Sequence, residues 1–486
     1  MNKNILLINP PQENTLQAGI EDDFVDIIGY YPPLGLMYMA TMLKNNGYDV
    51  KILDCVPMNI RYDKIKSIVA DFQPFAVGIS TFTMSMIDVL NTAKVVKDIS
   101  SNIHVILGGH HTLLYPKQSV KYSNVDYILI GEADYTFPQL LNALENDFSD
   151  EEILKIQGVG FYRNGVEKIN YSRAIVENLD DLPFPDRSML PMEIYQSIVG
   201  RNKMVATVMS SRGCPFKCTY CYTPSKKYRS RSTENIMQEV RYLISLGYKE
   251  IFFFDDLFAL KPEKVIEFAK ALVVENIKID WSFRGRINAV TEEMIYEVKK
   301  AGIHRIQFGI ESGVDKTLKR VKKGITTEQI INVIKWCKKA KITTIGNFMI
   351  GLPDETEADI NETLKFSRKI GLNYSQYSIL VPYPFTEIYT EAMQKGLFSK
   401  DYWLEFSNDP YGTYKNFKVE YWTETVSEEF LFKTIKQSFK RFYFRPITIL
   451  NKLREIRTLR EFWFAVRGAL DVFKFNPKVK TIKGQN

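Results

Sequence analysis

Residues 210–224 read SSRGCPFKCTYCYTP and set Cys214, Cys218 and Cys221 in a C-x3-C-x2-C array directly after an apolar, strand-like run, VATVMSS. Three thiols on one short loop are gathered round a metal centre at small entropic cost. A structural zinc site wants a fourth ligand, and no nearby Cys or His supplies it. Three ligands leave one iron of a four-iron cube open, which suits coordination of a substrate. Three incidental buried cysteines are the alternative, but the surrounding Gly, Pro, Lys and Tyr make a loop. Cys55 and Cys337 stand alone and read as small apolar fillers.

Downstream of the cysteines the chain alternates in units of roughly 30 residues, the spacing of a βα barrel or part of one. EIFFFDD, IDWSFRG, RIQFGIES and TTIGNFMIGLP follow VATVMSS as strands, with helical runs over 233–246, 264–275, 292–301 and 327–340 between them. Upstream, ILLINP, YDVKILD, FAVGIST, HVILGG and DYILIG are apolar runs separated by helical stretches over 34–46, 62–72 and 84–99. Strands that are apolar throughout and spaced by helices predict a parallel sheet covered on both faces. Turn residues follow those strands at Asn9, Asp54, Ser80-Thr81, Gly108-Gly109 and Gly131-Glu132, along the edge where ligands of doubly wound sheets bind. Between the two series, residues 149–201 are hairpin-like (VGFYRNGVEKI) and then proline-punctuated, the composition of a connector.

The 486 residues are too many for one core. With 45% apolar and 25% charged residues, disordered, collagen-like and coiled-coil classes are excluded. No apolar run is long enough for a transmembrane helix, and the N-terminus lacks a signal-peptide pattern. Five cysteines make no disulfide framework, so a reducing, cytoplasmic setting is expected. The net charge of +7 is uneven: residues 430–486 hold 14 Lys/Arg and 3 Asp/Glu, leaving the rest slightly acidic.

CPFKCTYC resembles the signature of the radical S-adenosylmethionine superfamily, and the resemblance runs through the barrel-like region. It implies that Cys214, Cys218 and Cys221 hold a 4Fe–4S cluster whose open iron chelates the amino and carboxylate groups of S-adenosylmethionine. Tyr220 matches the position that contacts adenine. FFFDDLF stands where the family places a polar motif for the methionyl ammonium; the usual Gly-Gly-Glu is absent, so Asp255 and Asp256 both stand as candidates. GIESG matches the fourth-strand motif, with Glu311 near the ribose or methionyl end, and GLPDET the fifth-strand turn, with Gly351 near adenine. Arg286 is a candidate for the carboxylate. Helix capping or turn shaping is the plainer reading of each of these residues alone.

The first region resembles the cobalamin-binding module that precedes radical S-adenosylmethionine domains, through NPPQ, YPPLGLMYMATMLKNNGYDVKILD, GIST, LGGHHT and GEAD. Small residues at strand ends admit a bulky nucleotide tail; Ser80, Thr81, Gly108, Gly109, Gly131 and Glu132 are the expected contacts. The Asp-x-His-x-x-Gly motif is absent, so cobalamin is expected with no protein His ligand to cobalt, and His110 and His111 read as a solvated or turn-capping pair.

The expected fold is α/β: a Rossmann-like cobalamin domain (1–148), a connector (149–201), a partial (β/α)6 barrel as radical S-adenosylmethionine core (202–390) and a basic, aromatic-rich helical region (391–486). In the last, Ile447, Leu450, Leu453, Ile456 and Leu459 fall at helical spacing; docking on the barrel is expected, with peripheral membrane contact or a lid as the alternative. The resemblance implies a methyltransferase acting through a 5′-deoxyadenosyl radical on an unactivated carbon of a small or lipophilic molecule. A reducing partner such as flavodoxin or ferredoxin is implied, and nucleic acid is not. The rival readings are a radical oxidative cyclase of the anaerobic tetrapyrrole type, an RNA methylthiotransferase (disfavoured, with only Cys55 in the first domain) and a non-catalytic sensor.

Overall fold

A computed structural model describes residues 3–16, 30–195, 201–202, 204–258, 260–446, 448–450 and 466. Strands β1 (Asn4–Asn9), β2 (Asp49–Asp54), β3 (Ala76–Thr81), β4 (His104–Gly109) and β5 (Tyr127–Leu129) lie parallel in the order β2-β1-β3-β4-β5. Their side chains alternate between two cores: Leu6, Ile8, Val77, Ile79, Val105 and Leu107 face one, Ile5, Leu7, Ala76 and Ile106 the other. Burial on both faces explains why these strands read as unbroken apolar runs. The order reverses between β1 and β3, the place where such sheets open a crevice at their carboxyl ends.

The hairpin expected in the connector forms β6 (Val159–Arg163) and β7 (Val166–Ile169), which extend this sheet antiparallel. Asn164 and Gly165, at φ +53° and +78°, supply the two left-handed residues that a tight hairpin turn requires.

The second sheet contains β8 (Ala206–Val208), β11 (Glu250–Phe253), β12 (Asp280–Gly285), β13 (Ile303–Glu311), β14 (Thr343–Ile350) and β15 (Tyr374–Ile379), all parallel and adjacent in chain order. Between β8 and β11, a ribbon of β9 (Ser211–Arg212) and β10 (Arg229–Ser230) closes the base of the cysteine loop. Phe253, Trp281, Phe283, Ile306, Phe308, Ile310, Phe348 and Ile350 pack outward against the helices. The inward positions are different in kind: Gln307 Nε2 donates to Asn347 Oδ1 and to Gln376 Oε1, both at 3.1 Å. Strand β15, YSQYSI, lacks an apolar run because Tyr374, Gln376 and Ser378 alternate with its core residues, so only the structure locates it. The helices begin where the sequence expects, at Thr233, Glu292 and Thr327, capped by Ser232, Thr291 and Thr326.

Beyond the barrel, helix Glu428–Tyr443 covers edge strand β15 with Leu431, Ile435, Phe439 and Phe442, and the Tyr443 hydroxyl donates to Ser375 O at 2.9 Å. Covering an edge prevents unwanted strand pairing. Residues 398–422 instead turn back to the first domain, where Trp403, Phe406 and Trp422 share a core with Leu6 and Val77. Of the expected tail stripe, Leu450 is exposed; Ile447, Leu453, Ile456 and Leu459 lie outside the described residues. Among the described residues no helix is long and apolar enough to cross a membrane.

Candidate active site

The cysteine loop is strung between two anchors. At its base, Gly213 takes φ +85°, where a Cβ would stand 2.3 Å from Lys227 O, and Cys214 N donates to Ser225 O at 3.1 Å. At its tip, Thr219 N donates to Val321 O, and Ile388 N to Thr219 O, both at 3.1 Å. All three cysteines are free, with Cys221 the most exposed. Burial, then the neighbouring Cys218 and Cys214, push the Cys221 thiol up to about 11. Among the described residues no three His, Cys, Asp or Glu converge as ligands of a single ion; a cube spreads its cysteines over separate irons and requires no such convergence. Cys55 and Cys337 are buried and pushed up to about 12 by desolvation, as inert fillers are.

Arg286 follows β12 and lies against the loop. Its Nη1 donates to Cys218 Sγ at 3.3 Å, its Nε donates to Asn288 Oδ1 at 3.0 Å, and its guanidinium carbon sits 3.8 Å from the Phe216 ring centre. Its Nη2 is buried with no partner among the described residues, a donor in place for an anionic oxygen.

Glu311 ends β13 at a bulge between Gly309 and Glu311 and adopts φ +66°, backbone strain of the kind functional sites retain. Its Oε1 accepts from Lys323 Nζ at 2.7 Å, and the same ammonium donates to the Tyr220 hydroxyl at 3.2 Å. Lys323 is a member of this site that sequence reasoning missed: nothing in VKKGIT distinguishes it from its exposed neighbour Lys322, and only folding buries it. Burial, then the charge of Glu311, holds the Tyr220 phenol well above its ordinary range.

The two aspartates after β11 separate sharply. Asp255 is buried and accepts from Ser210 N at 2.7 Å, Ser211 N at 2.9 Å and Ser210 Oγ at 2.6 Å, tying β11 to the start of the cysteine loop; burial pushes its carboxyl up to about 7. Asp256 is exposed and accepts from Gly213 N at 3.3 Å. Gly351 turns at φ +77° beside Leu431, 3.2 Å from where a Cβ would be, and its amide donates to Glu355 Oε2 at 2.9 Å.

On the first sheet's carboxyl edge, Ser80 pairs with Gly108 and Thr81 with Gly109. Gly109 takes φ +130°, where a Cβ would meet Thr81 O at 2.6 Å, and the Thr81 hydroxyl donates to Gly108 O at 3.0 Å. Gly131 and Glu132, just past the carboxyl end of β5, already have protein partners: Gly131 bridges to Ala174, and Glu132 accepts from Arg229 and Arg212. His111 is neither solvated nor a cap. It is wholly buried between Thr83 Oγ1 at 3.0 Å and the Tyr122 hydroxyl at 2.9 Å, and burial lowers its pKa to about 3. His110, by contrast, is exposed and stacks on Phe82; desolvation lowers its basicity while the charge of Asp256 opposes. The segments that follow the carboxyl ends of β8 and β5 meet directly, where Arg212 Nη1 donates to Asp134 Oδ2 at 2.7 Å.

Residues 208–367 match the Radical SAM superfamily and residues 24–141 the B12 binding domain. An uncharacterized methyltransferase of Pyrococcus horikoshii is 32% identical over 457 residues, 93% of this chain and 95% of that protein. The anaerobic magnesium-protoporphyrin IX monomethyl ester cyclase of Rubrivivax gelatinosus is 26% identical over 380 residues, 76% of this chain and 68% of that one. In fold, the chain is similar to OxsB, a cobalamin-dependent S-adenosylmethionine radical enzyme solved with aqua-cobalamin and S-adenosylmethionine bound. The TM-score is 0.67 at 18% identity, over 97% of this chain and 72% of that chain. With both modules matched in one polypeptide and one relative aligned along nearly its whole length, this chain belongs to the cobalamin-dependent radical S-adenosylmethionine enzymes, and its cofactors are a 4Fe–4S cluster, S-adenosylmethionine and cobalamin.

Proposed function

We propose that the enzyme transfers a methyl group to an unactivated carbon of a small molecule. The observation that carries this is the alignment with a methyltransferase over 93% of this chain and 95% of that protein, joined to direct contact between the segments after β5 and β8. When bound, the cluster supplies the electron that opens the sulfonium, and cobalamin supplies the methyl carrier.

The chain's own residues bind and orient. Cys214, Cys218 and Cys221 hold the cluster. Arg286, with its unpartnered Nη2, receives the methionyl carboxylate, and exposed Asp256, rather than Asp255 with its three hydrogen bonds, receives the ammonium. Glu311 and Lys323 address the ribose side beside Tyr220. Ser80, Gly108 and Gly109 form the open part of the cobalamin edge, and Gly351 acts through packing on Leu431. Residues 1–148 thus serve as cobalamin domain and 202–390 as radical core, with 149–201 between them and 391–486 fastening the two. A reductant of the flavodoxin or ferredoxin type meets the outer side of the loop, where Cys221, Lys217 and Lys226 are exposed. The Gln307–Asn347–Gln376 chain on the barrel's inner face favours a substrate with hydrogen-bonding groups.

The test is anaerobic reconstitution with iron, sulfide and cobalamin, then incubation with trideuteromethyl-labelled S-adenosylmethionine and cell extract. A labelled product together with S-adenosylhomocysteine is expected; 5′-deoxyadenosine with no labelled product sinks methyl transfer in favour of ring closure.

A further inference from the structure

Arg212 and Arg229 flank the cysteine loop, one just before Cys214 and the other after Cys221, and they are register partners in the β9–β10 ribbon. Directly opposed residues of an antiparallel pair project to the same side. Both guanidiniums meet the segment that follows β5 in the first domain. Arg212 forks onto Asp134, Nη1 to Oδ2 at 2.7 Å and Nη2 to Oδ1 at 3.1 Å, and also reaches Glu132 Oε2 at 3.1 Å. Arg229 forks onto Glu132, Nη2 to Oε1 at 2.5 Å and Nη1 to Oε2 at 2.9 Å. Val176 N adds a donor to Glu132 Oε2 at 2.8 Å. Burial works against the charge on Glu132, yet its arginine partners hold its carboxyl below the usual range.

This is a chain of alternating charge, Asp134–Arg212–Glu132–Arg229, with Arg229 and Asp134 nearly inaccessible to solvent. Paired forks fix both distance and orientation. Glu132 is the shared partner of the two arginines, so neutralising it leaves two opposed cations with one carboxylate between them. The position matters more than the strength. Gly213 separates Arg212 from Cys214 by a single residue and is confined by Lys227 O, so a shift of the ribbon moves the first cysteine. The loop's other end is tied to the barrel through Thr219. The cysteines hang between an anchor on the cobalamin domain and an anchor on the radical core.

We propose that Glu132 and Asp134 are positioning residues: by gripping Arg212 and Arg229 they fix the cluster at one separation from the cobalamin edge. Their carboxylates are occupied by the two arginines. The role differs from that of an ordinary interdomain salt bridge in what it sets, which is a distance between two paramagnetic centres.

The experiment uses full-length enzyme loaded with iron, sulfide and hydroxocobalamin, then reduced until cluster and Co(II) are both paramagnetic. Pulsed electron paramagnetic resonance reads the dipolar coupling between them. Glu132→Gln and Asp134→Asn keep side-chain shape; Arg229→Lys keeps charge but loses the fork, and serves if a carboxamide variant fails to load. Wild type is expected to give one defined coupling. In a variant with wild-type iron, sulfide and cobalt contents, that coupling is expected to spread into a broad distribution. A variant that melts at lower temperature yet keeps the wild-type coupling overturns the proposal, since the ion-pair chain would then serve stability alone.

Discussion

Glu311 and Lys323 form a buried ion pair, 2.7 Å between Oε1 and Nζ, over the place where Gly309 has no side chain. The bulge in β13 turns Glu311 into the site, and the turn after helix Asp315–Arg320 brings Lys323 to it. Between them they present a charge of each sign beside Tyr220 and the cysteine loop.

Lys323→Met leaves Glu311 buried and unpaired, and breaking such a pair costs about 3–5 kcal/mol. Denaturant unfolding of the variant should show a loss of that size. Glu311→Gln combined with Lys323→Met should recover most of it, because no lone charge remains. Additive losses in the double variant would mean that the two side chains do not act as a pair.

Gly309→Ala tests the same spot sterically. The new Cβ would lie 2.7 Å from Glu311 Oε1 and 3.0 Å from Lys323 Nζ, so the pair must move. Overpacking of this kind costs about 1–3 kcal/mol. A weaker dissociation constant for S-adenosylmethionine is expected by equilibrium dialysis, with cluster content preserved. Wild-type affinity would show that the pair can shift without consequence.

Cys218→Ala is expected to abolish the cluster, read as iron and sulfide content and loss of the brown chromophore. Arg286→Lys keeps a cation near Cys218 but removes the planar donor stacked on Phe216. Loss of an outer partner of a metal ligand costs about 10–100-fold in affinity or activity. Reductive cleavage of S-adenosylmethionine should fall by that order while iron content stays near wild type.

Glu355 gives a pH dependence. Its Oε1 is buried without a partner, and burial raises the carboxyl from 4.5 to about 8 despite hydrogen bonds from the Leu352 and Gly351 amides. A carboxyl whose pKa is higher folded than unfolded favours the folded state while protonated. Its contribution is complete below the unfolded value and is lost as pH rises toward the folded one, at up to about 1.4 kcal/mol per pH unit. Glu355→Gln should therefore be neutral near pH 5 and stabilising near pH 8, checked by melting temperature across that range. Equal effects at both pH values would show that the carboxyl is already ionised at the lower one.

Much of this architecture is legible without coordinates, and the reason differs by element. The helices Tyr62–Phe72, Thr233–Ser245 and Thr327–Lys339 follow from local periodicity and capping residues, which act over a few positions. The β1 and β3 runs declare a sheet buried on both faces because their central residues, Ile5 to Ile8 and Ala76 to Ile79, carry no polar side chain on either face. Strand β15 escapes notice because half of its side chains line the polar interior of the barrel. Polar residues facing that interior leave no apolar signature.

Within the site, chain order alone reveals the cysteine loop, since three thiols in eight residues need no distant partner to be recognised as a metal nest. Folding decides what surrounds it. Asp255 and Asp256 are neighbours in sequence, yet the backbone sends one into the protein to hold Ser210 and Ser211 and leaves the other at the cleft. Glu132 reads as a strand-end acid beside a cofactor, and tertiary contact gives it to two arginines roughly eighty and a hundred positions away. A charge carries no local record of which opposite charge it will meet. Hydrophobic spacing is a property of neighbours along the chain, whereas ion pairing is settled only when distant segments close on each other and exclude water.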